Sequence, residues 1–490
     1  MPLLKRGGIS TRGTSGKPER NMTLDYIFYP RSIAVVGAST SRFSAVTQLF
    51  LNTLPHFGYK GEIYPINPRM DEVSGLKAYP NVRDVPGAVD HVICMIPAEA
   101  TRQLLEDCVA KGVKTVHLYT SGFAETGEVD RGRLQDELVS IARSGGIRII
   151  GPNCMGIYCP GSGISYCADF PQERGNVGFI SQSGSYSILV VRGAAARGVR
   201  FSKVVSYGNA SDIDEIELLD YMSHDPETEV IAAYIEGTKD GPRLRKVLTE
   251  AAAKKPVIII KKGGTAAGSR GTISHTGALA GDDAVWEALL KQTGAIRVED
   301  LEEMIDLLVT FRFFQLPHGR RVAVVGLGGG ASVRASDECE SGGLSLPPAP
   351  EELVAELKRF IPVAGSMLRN PIDMGSYRHD WTPVLQALDG WTELDMFLWQ
   401  IAPEIEPFEE GIYRQFIKDE RSRILEIFQG LQKPTAVVVH AVESSIGLET
   451  LDIMRTRCAE RKMAFYPSIY RAARAISRYV EYHERRGSKK

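Results

Sequence analysis

Three times along its 490 residues this chain writes a short apolar run, a turn of small residues, and then a helical pattern. The runs are Ser32-Ile33-Ala34-Val35-Val36 before Gly37-Ala38-Ser39, and Val177-Gly178-Phe179-Ile180-Ser181 before Gln182-Ser183-Gly184-Ser185. The third is Arg321-Val322-Ala323-Val324-Val325 before Gly326-Leu327-Gly328-Gly329-Gly330. They recur roughly 145 residues apart, which is a domain's length. Further apolar runs lie between them: EIYPI, VDHVICMI, KTVHLY and IRII, then KVVSY, VIAAYIEG and PVIIIKK, then DMFLWQI and PTAVVVH. Runs apolar on both faces and separated by helix-length segments predict parallel sheets covered by helices. The expected fold is α/β, with three consecutive domains over residues 23–172, 173–317 and 318–482. Residues 1–22, basic and rich in Gly and Ser, read as a disordered extension, and the tail HERRGSKK as a solvated end.

Composition narrows the function classes. The 58 Lys and Arg balance 60 Asp and Glu to a formal charge of -2, which offers no electrostatic case for nucleic acid or a membrane surface as partner. No apolar run approaches the ~20 residues of a membrane span, and the start lacks the apolar core of a secretory signal. The seven cysteines form no CxxC pair or Cys/His cluster, so reduced thiols in a cytoplasm are expected and no metal site is.

In parallel sheets ligands bind at the carboxyl ends of strands, where these small-residue turns lie. Gly37-Ala38-Ser39 could hold a nucleotide phosphate on backbone N–H groups or be a plain tight turn. The dinucleotide fingerprint is incomplete, because Ser41-Arg42-Phe43-Ser44 stands where glycines should recur. The next strand runs into Asn67-Pro68-Arg69 rather than a ribose-binding acid. That disfavours NAD more than another adenine nucleotide, and Arg42 or Arg69 would suit an extra phosphate. At Gln182-Ser183-Gly184-Ser185 the serines are N-cap candidates, and the free amides of the helix start could also take an anion. The long small-residue loop from Gly263 to Gly281 contains a single histidine, His275, open to a large partner. Glu236 closes the strand VIAAYIEG on the same sheet edge; it is either an ordinary polar strand end or a partner for the Nδ1–H of that imidazole, leaving Nε2 to attack phosphorus. The third domain offers Gly328-Gly329-Gly330, either an anion nest or a flexible corner, and further on Asn370-Pro371-Ile372-Asp373.

Read in order, the phrases Tyr29-Pro30-Arg31-Ser32, Tyr64-Pro65-Ile66-Asn67-Pro68, Ser121-Gly122-Phe123-Ala124-Glu125-Thr126-Gly127, Gly151-Pro152-Asn153-Cys154-Met155-Gly156, Ser181-Gln182-Ser183-Gly184, Ser206-Tyr207-Gly208-Asn209-Ala210-Ser211-Asp212, Tyr234-Ile235-Glu236-Gly237 and Ser274-His275-Thr276-Gly277-Ala278-Leu279-Ala280-Gly281 resemble the α subunit of ADP-forming acetyl-CoA synthetase, a relative of succinyl-CoA synthetase α. The resemblance runs from about Leu24 to about residue 480. It implies a Rossmann-like CoA-binding domain followed by two flavodoxin-like domains, and an acid–thiol ligase working through a phosphohistidine. By that resemblance His275 is the phosphorylated residue and Glu236 steadies it. Ser183, Gly184 and Ser185 start the helix that receives the phosphoryl group. Gly37, Ala38, Ser39, Arg42, Asn67, Pro68, Ser121, Gly122 and Phe123 surround CoA, with Asn153 and Cys154 near its thiol end. A small carboxylic acid is the other substrate. No P-loop occurs and no length is left for an ATP-grasp fold, so ATP, ADP and Mg²⁺ are expected on a partner β subunit in an α2β2 assembly. Two departures from the family, the bulky Arg42-Phe43-Ser44-Ala45-Val46 and Gly326-Leu327-Gly328-Gly329-Gly330-Ala331-Ser332 in place of TNGGGxG, bear on the CoA pose and the acyl substrate. The alternatives weighed are a CoA-binding regulator that keeps the fold without turnover, and an NAD-dependent oxidoreductase.

Overall fold

The computed structural model describes residues 22–39, 47–265, 281–326, 328–361, 367–373, 381–401, 422–440 and 444–487. Of residues 1–22, expected to be disordered, 1–21 lie outside that range, and Met22 begins a helix instead, Met22–Phe28.

The three openings become the strands around which three sheets wind. In the first, β1 (Ser32–Val36) lies between β2 (Glu62–Ile66) and β3 (His91–Cys94), with β4 (Thr115–Leu118) and β5 (Arg148–Ile150) beyond β3, all parallel. The next strand, β6 (Gly156–Tyr158), leaves this sheet and forms the antiparallel edge of the second. There β7 (Val177–Ser181) lies between β8 (Phe201–Ser206) and β9 (Val230–Ile235), and β10 (Val257–Lys261) and β11 (Ile296–Val298) continue past β9. In the third sheet β12 (Val322–Gly326) sits between β14 (Ile372–Asp373) and β15 (Met396–Ile401), with β13 (Met367–Leu368) as antiparallel edge and β16 (Thr435–Val439) and β17 (Phe465–Tyr466) beyond β15. Each chain segment thus winds to one side of its first parallel strand and then returns past it to the other. The crevice at that reversal, outside the carboxyl ends, is where such sheets bind ligands. Every residue of β1, β7, β9 and β10 is buried, which explains why these strands read as unbroken apolar runs.

The units are fastened to one another by buried carboxylates. Asp212, after β8, accepts from Arg148 Nε at 2.8 Å, Arg143 Nε at 3.2 Å and the Ile149 amide at 2.9 Å, joining the first sheet to the second. Asp306, on the helix Leu301–Phe313, accepts from Arg197 at 2.5 Å and from Arg471 at 2.6 Å, joining the second to the third. The last helix, Ile469–Gly487, takes in His483 to Gly487 of the expected solvated tail; residues 488–490 lie outside the described residues. Its buried face, including Ala472, Ile476 and Tyr479, packs against Leu301–Phe313, and Arg486 donates to the Ala253 carbonyl at 3.0 Å. Among the described residues no helix is long and apolar enough to cross a membrane.

Candidate active site

The carboxyl ends of β7, β9 and β10 wall a cavity of about 710 Å³. Past β7, Ser183 caps the helix Gly184–Ala195: its Oγ accepts from the Tyr186 amide at 3.4 Å, satisfying one of the donors a helix start leaves over. Ser185 Oγ lies 3.1 Å from Ser183 Oγ. Gly184 has to be small, since a Cβ there would come 2.8 Å from Met155 Cγ.

The end of β9 is stitched to this turn. Gln182 Oε1 accepts from the backbone N–H groups of Glu236 and of Gly237, the second at 3.1 Å. Tyr234 and Glu236, two residues apart, share one face of the strand. The Tyr234 hydroxyl donates to Glu236 Oε1 at 3.2 Å, and its ring stacks on Tyr186 at 4.2 Å. Burial, reinforced by the Glu236 charge, pushes the Tyr234 phenol above its ordinary range, so it stays a donor. The wall continues from Lys261, the last residue of β10, through Lys262, Gly263, Gly264 and Thr265. Burial pulls the Lys261 ammonium down to about 8. Arg297, from β11, lines the same cavity, paired with Asp283 at 2.8 Å.

Glu236, Ser183 and Ser185, singled out separately in the sequence, therefore face one space, with Gly184 beside it. His275 lies in residues 266–280, outside the described residues; the chain enters that stretch directly from the cavity wall at Thr265. Sequence reasoning passed over Tyr186, Tyr234, Lys261 and Arg297. The two lysines closing PVIIIKK were a signal for Lys261, because a charge at the end of a buried strand must be placed somewhere specific.

In the first sheet, Gly37 takes φ 93°, and a Cβ there would lie 3.1 Å from the Met95 carbonyl, so the turn needs glycine. Asn67 Nδ2 donates to the Ala38 carbonyl at 2.6 Å, which sets the Gly37-Ala38-Ser39 turn beside Asn67-Pro68. Arg42 lies outside the described residues. The Glu125 carboxylate accepts from the amides of Gly122 at 2.5 Å and Phe123 at 3.1 Å, and Phe123 is fully buried. Of Ser121, Gly122 and Phe123 only Ser121 is exposed.

Asn153 and Cys154 lie where the first sheet meets the second. Asn153, at φ 59°, donates its amide to the Thr120 carbonyl at 2.9 Å, and the Met155 amide donates to Ser206 Oγ at 3.1 Å. Cys154 is buried against the Leu118 carbonyl, and burial drives its thiol pKa up, so it packs rather than reacts. In the third sheet the two motifs left open are joined: the Gly328 amide donates to Asp373 Oδ1 at 2.9 Å.

Comparison with known proteins follows the same division. A family described as a CoA binding domain matches residues 31–160, and one described as a succinyl-CoA ligase like flavodoxin domain matches residues 174–311. The acetate–CoA ligase [ADP-forming] II subunit alpha of Pyrococcus furiosus is 41% identical over 351 residues, 72% of this chain and 76% of that one. The acetate–CoA ligase [ADP-forming] of Methanocaldococcus jannaschii is 37% identical over 72% of this chain and 49% of its own, so the chain spans about half the length of that relative. Among solved structures, dinucleotide forming acetyl-coenzyme A synthetase 1 of Candidatus Korarchaeum cryptofilum, in complex with phosphate and ADP, superposes with a TM-score of 0.79 at 33% identity. The match covers 95% of this chain and 97% of that chain.

Proposed function

This chain belongs to the family of ADP-forming acyl-CoA ligases, and from that membership we propose that it is the α-type subunit that binds CoA and carries the phosphoryl group on His275. ATP phosphorylates the histidine: Nε2 bonds to the γ-phosphorus as the bond to ADP breaks. A small carboxylic acid then takes the phosphoryl group as the N–P bond breaks, giving an acyl phosphate. The CoA thiol attacks its carbonyl carbon and phosphate leaves. Glu236 holds the Nδ1–H of His275, and Ser183, Gly184 and Ser185 present the helix start to the phosphoryl group.

The observation that carries this reading is the convergence of Glu236, Ser183 and Ser185 on one cavity whose wall leads, in sequence, into the stretch that holds His275. CoA lies along Gly37, Ala38, Ser39, Arg42, Asn67 and Pro68, with Ser121, Gly122 and Phe123 framing the nucleotide. Its thiol end reaches the Asn153-Cys154 turn, and the contact of Met155 with Gly184 supports a short path from there to the phosphoryl site. The working units are residues 23–172, 173–317 and 318–482. ATP and Mg²⁺ are held mainly by an ATP-grasp β subunit, in an α2β2 assembly; the relative named as a subunit alpha supports a partner of this kind. Seven unpaired, buried cysteines suit a cytoplasmic enzyme.

The test is to expose the chain, with an ATP-grasp β subunit, to γ-labelled ATP and map the label. Acid-labile, base-stable label on His275, absent in His275→Asn, is expected. A fully active His275→Asn enzyme would overturn the proposal.

A further inference from the structure

We infer that Lys261 supplies the positive charge that holds the transferring phosphoryl group against the Ser183–Ser185 helix start, an inference that rests on reading this cavity as the phosphoryl site. In the sheet Lys261 pairs with Ile235, so it stands beside the residue that precedes Glu236. It lines the cavity and yet is only 5% exposed. A lysine has three donors, and one of them goes to the Lys262 carbonyl. The ammonium also sits 5.1 Å over the Trp286 ring. Among the described residues no carboxylate comes within ion-pairing distance of it.

The other cations of this wall are committed elsewhere. Arg297 is paired with Asp283 at 2.8 Å, Glu287 at 3.0 Å and Glu299 at 3.6 Å. Lys262 is turned to the rim, where it donates to the Glu299 carbonyl. A phosphoryl group entering the cavity lies beside Glu236 and the Ser183–Ser185 helix start, which offers it about half a positive charge. Lys261 adds a whole one from the adjacent strand end, in a buried setting where charge interactions are stronger than in water. Its depressed pKa fits the same picture: burial disfavours the ammonium until an anion arrives to pair with it.

The test is binding of inorganic phosphate to the full chain, by calorimetry, between about pH 7.5 and 9.5, for wild type, K261R and K261M. The other groups facing Lys261 are Glu236, Lys262, Asp283, Arg297, Glu299, Tyr186 and Tyr234, and all three proteins keep them. Wild-type affinity should fall as pH rises through about 8, approaching tenfold per pH unit once the amine is neutral. K261R, always charged, should bind across the window without that slope. K261M should bind at least about tenfold more weakly at the lower limit and show no slope. Should K261M fail to fold by circular dichroism, the loss of slope in K261R carries the test. A K261R profile identical to wild type, or undiminished binding by folded K261M, overturns the inference. Label on His275 combined with phosphate binding indifferent to Lys261 would sink this inference alone. Absence of label combined with Lys261-dependent binding would instead sink the catalytic reading and leave Lys261 an anion ligand.

Discussion

The side chain of Asn209, in the second unit, donates a 2.6 Å hydrogen bond to the carboxylate of Glu125, in the first. The other oxygen of that carboxylate holds the amides of Gly122 and Phe123. One acid therefore both shapes the Ser121-Gly122-Phe123 turn and ties it to the turn after β8. The same Asn209 amide donates to Gln135 at 3.0 Å, and Asn209 Oδ1 faces Asn153 Nδ2 at 3.5 Å. The Ser121-Gly122-Phe123 turn of the first unit is thereby referenced to the second unit, whose strand ends wall the cavity.

Asn209→Ala should consequently uncouple them. Glu125 and Gln135 each lose a buried partner, which costs about 1–3 kcal/mol. Denaturant unfolding should show that loss, and the KM for CoA should rise several-fold. Phosphorylation of His275, which uses none of these groups, should keep its rate. Unchanged CoA kinetics in a destabilised variant would show that the strut is structural only.

Glu236→Gln keeps the shape of the side chain and its contact with Tyr234 but removes the charge. A charge-assisted hydrogen bond is roughly twice as strong as a neutral one, so His275 should be phosphorylated at least about tenfold more slowly, with CoA affinity little altered. Single-turnover labelling and calorimetry separate the two. Collapse of CoA binding with normal labelling would place Glu236 in the other site.

The parts of this architecture legible in the sequence were those in which local pattern and tertiary fate agree. β7, β9 and β10 are buried on both faces and so appear as unbroken apolar runs, and the turn after β7 is small because the Met155 side chain packs against Gly184. β6 was not legible: it has three residues, and its partner β8 is chosen by packing of the whole second unit. The end of the last helix, from His483, looked like a solvated tail because Glu484, Arg485 and Arg486 are written one after another, and only the fold supplies acceptors such as the Ala253 carbonyl for Arg486. The role of Glu125 was within reach, since an acid three residues past a glycine can accept that glycine's amide. Arg297 left no signal, being one charge in an edge strand whose cavity is assembled from residues as far back as Ser183.

Asp306→Ala tests the second junction. Asp306 is 2% exposed and faces both Arg197, itself buried, and Arg471. Removing it leaves a buried guanidinium without its carboxylate, an alteration that costs about 3–5 kcal/mol. Thermal and denaturant unfolding should show a loss of that size, with the third unit's probes, such as Trp399, shifting first. A change below about 1 kcal/mol would mean that water replaces the carboxylate and that the junction is held by the apolar packing of Ile469–Gly487.

A last prediction concerns pH. Glu215, at the start of the helix Glu215–His224, is 2% exposed, and burial lifts its carboxyl from 4.5 to about 7. A raised carboxyl pKa means that the folded protein binds a proton the unfolded chain has already released. Between the two values stability therefore falls as pH rises, and the penalty is complete above the folded pKa. Two and a half units correspond to about 3 kcal/mol, an upper figure for one buried group. Glu215→Gln, which cannot ionise, lacks this term. Relative to wild type the variant should gain stability steadily from about pH 5 to about pH 8 and level off beyond, as read from chemical unfolding at each pH. Parallel stability curves for the two proteins across that interval would mean that Glu215 is ionised in the fold.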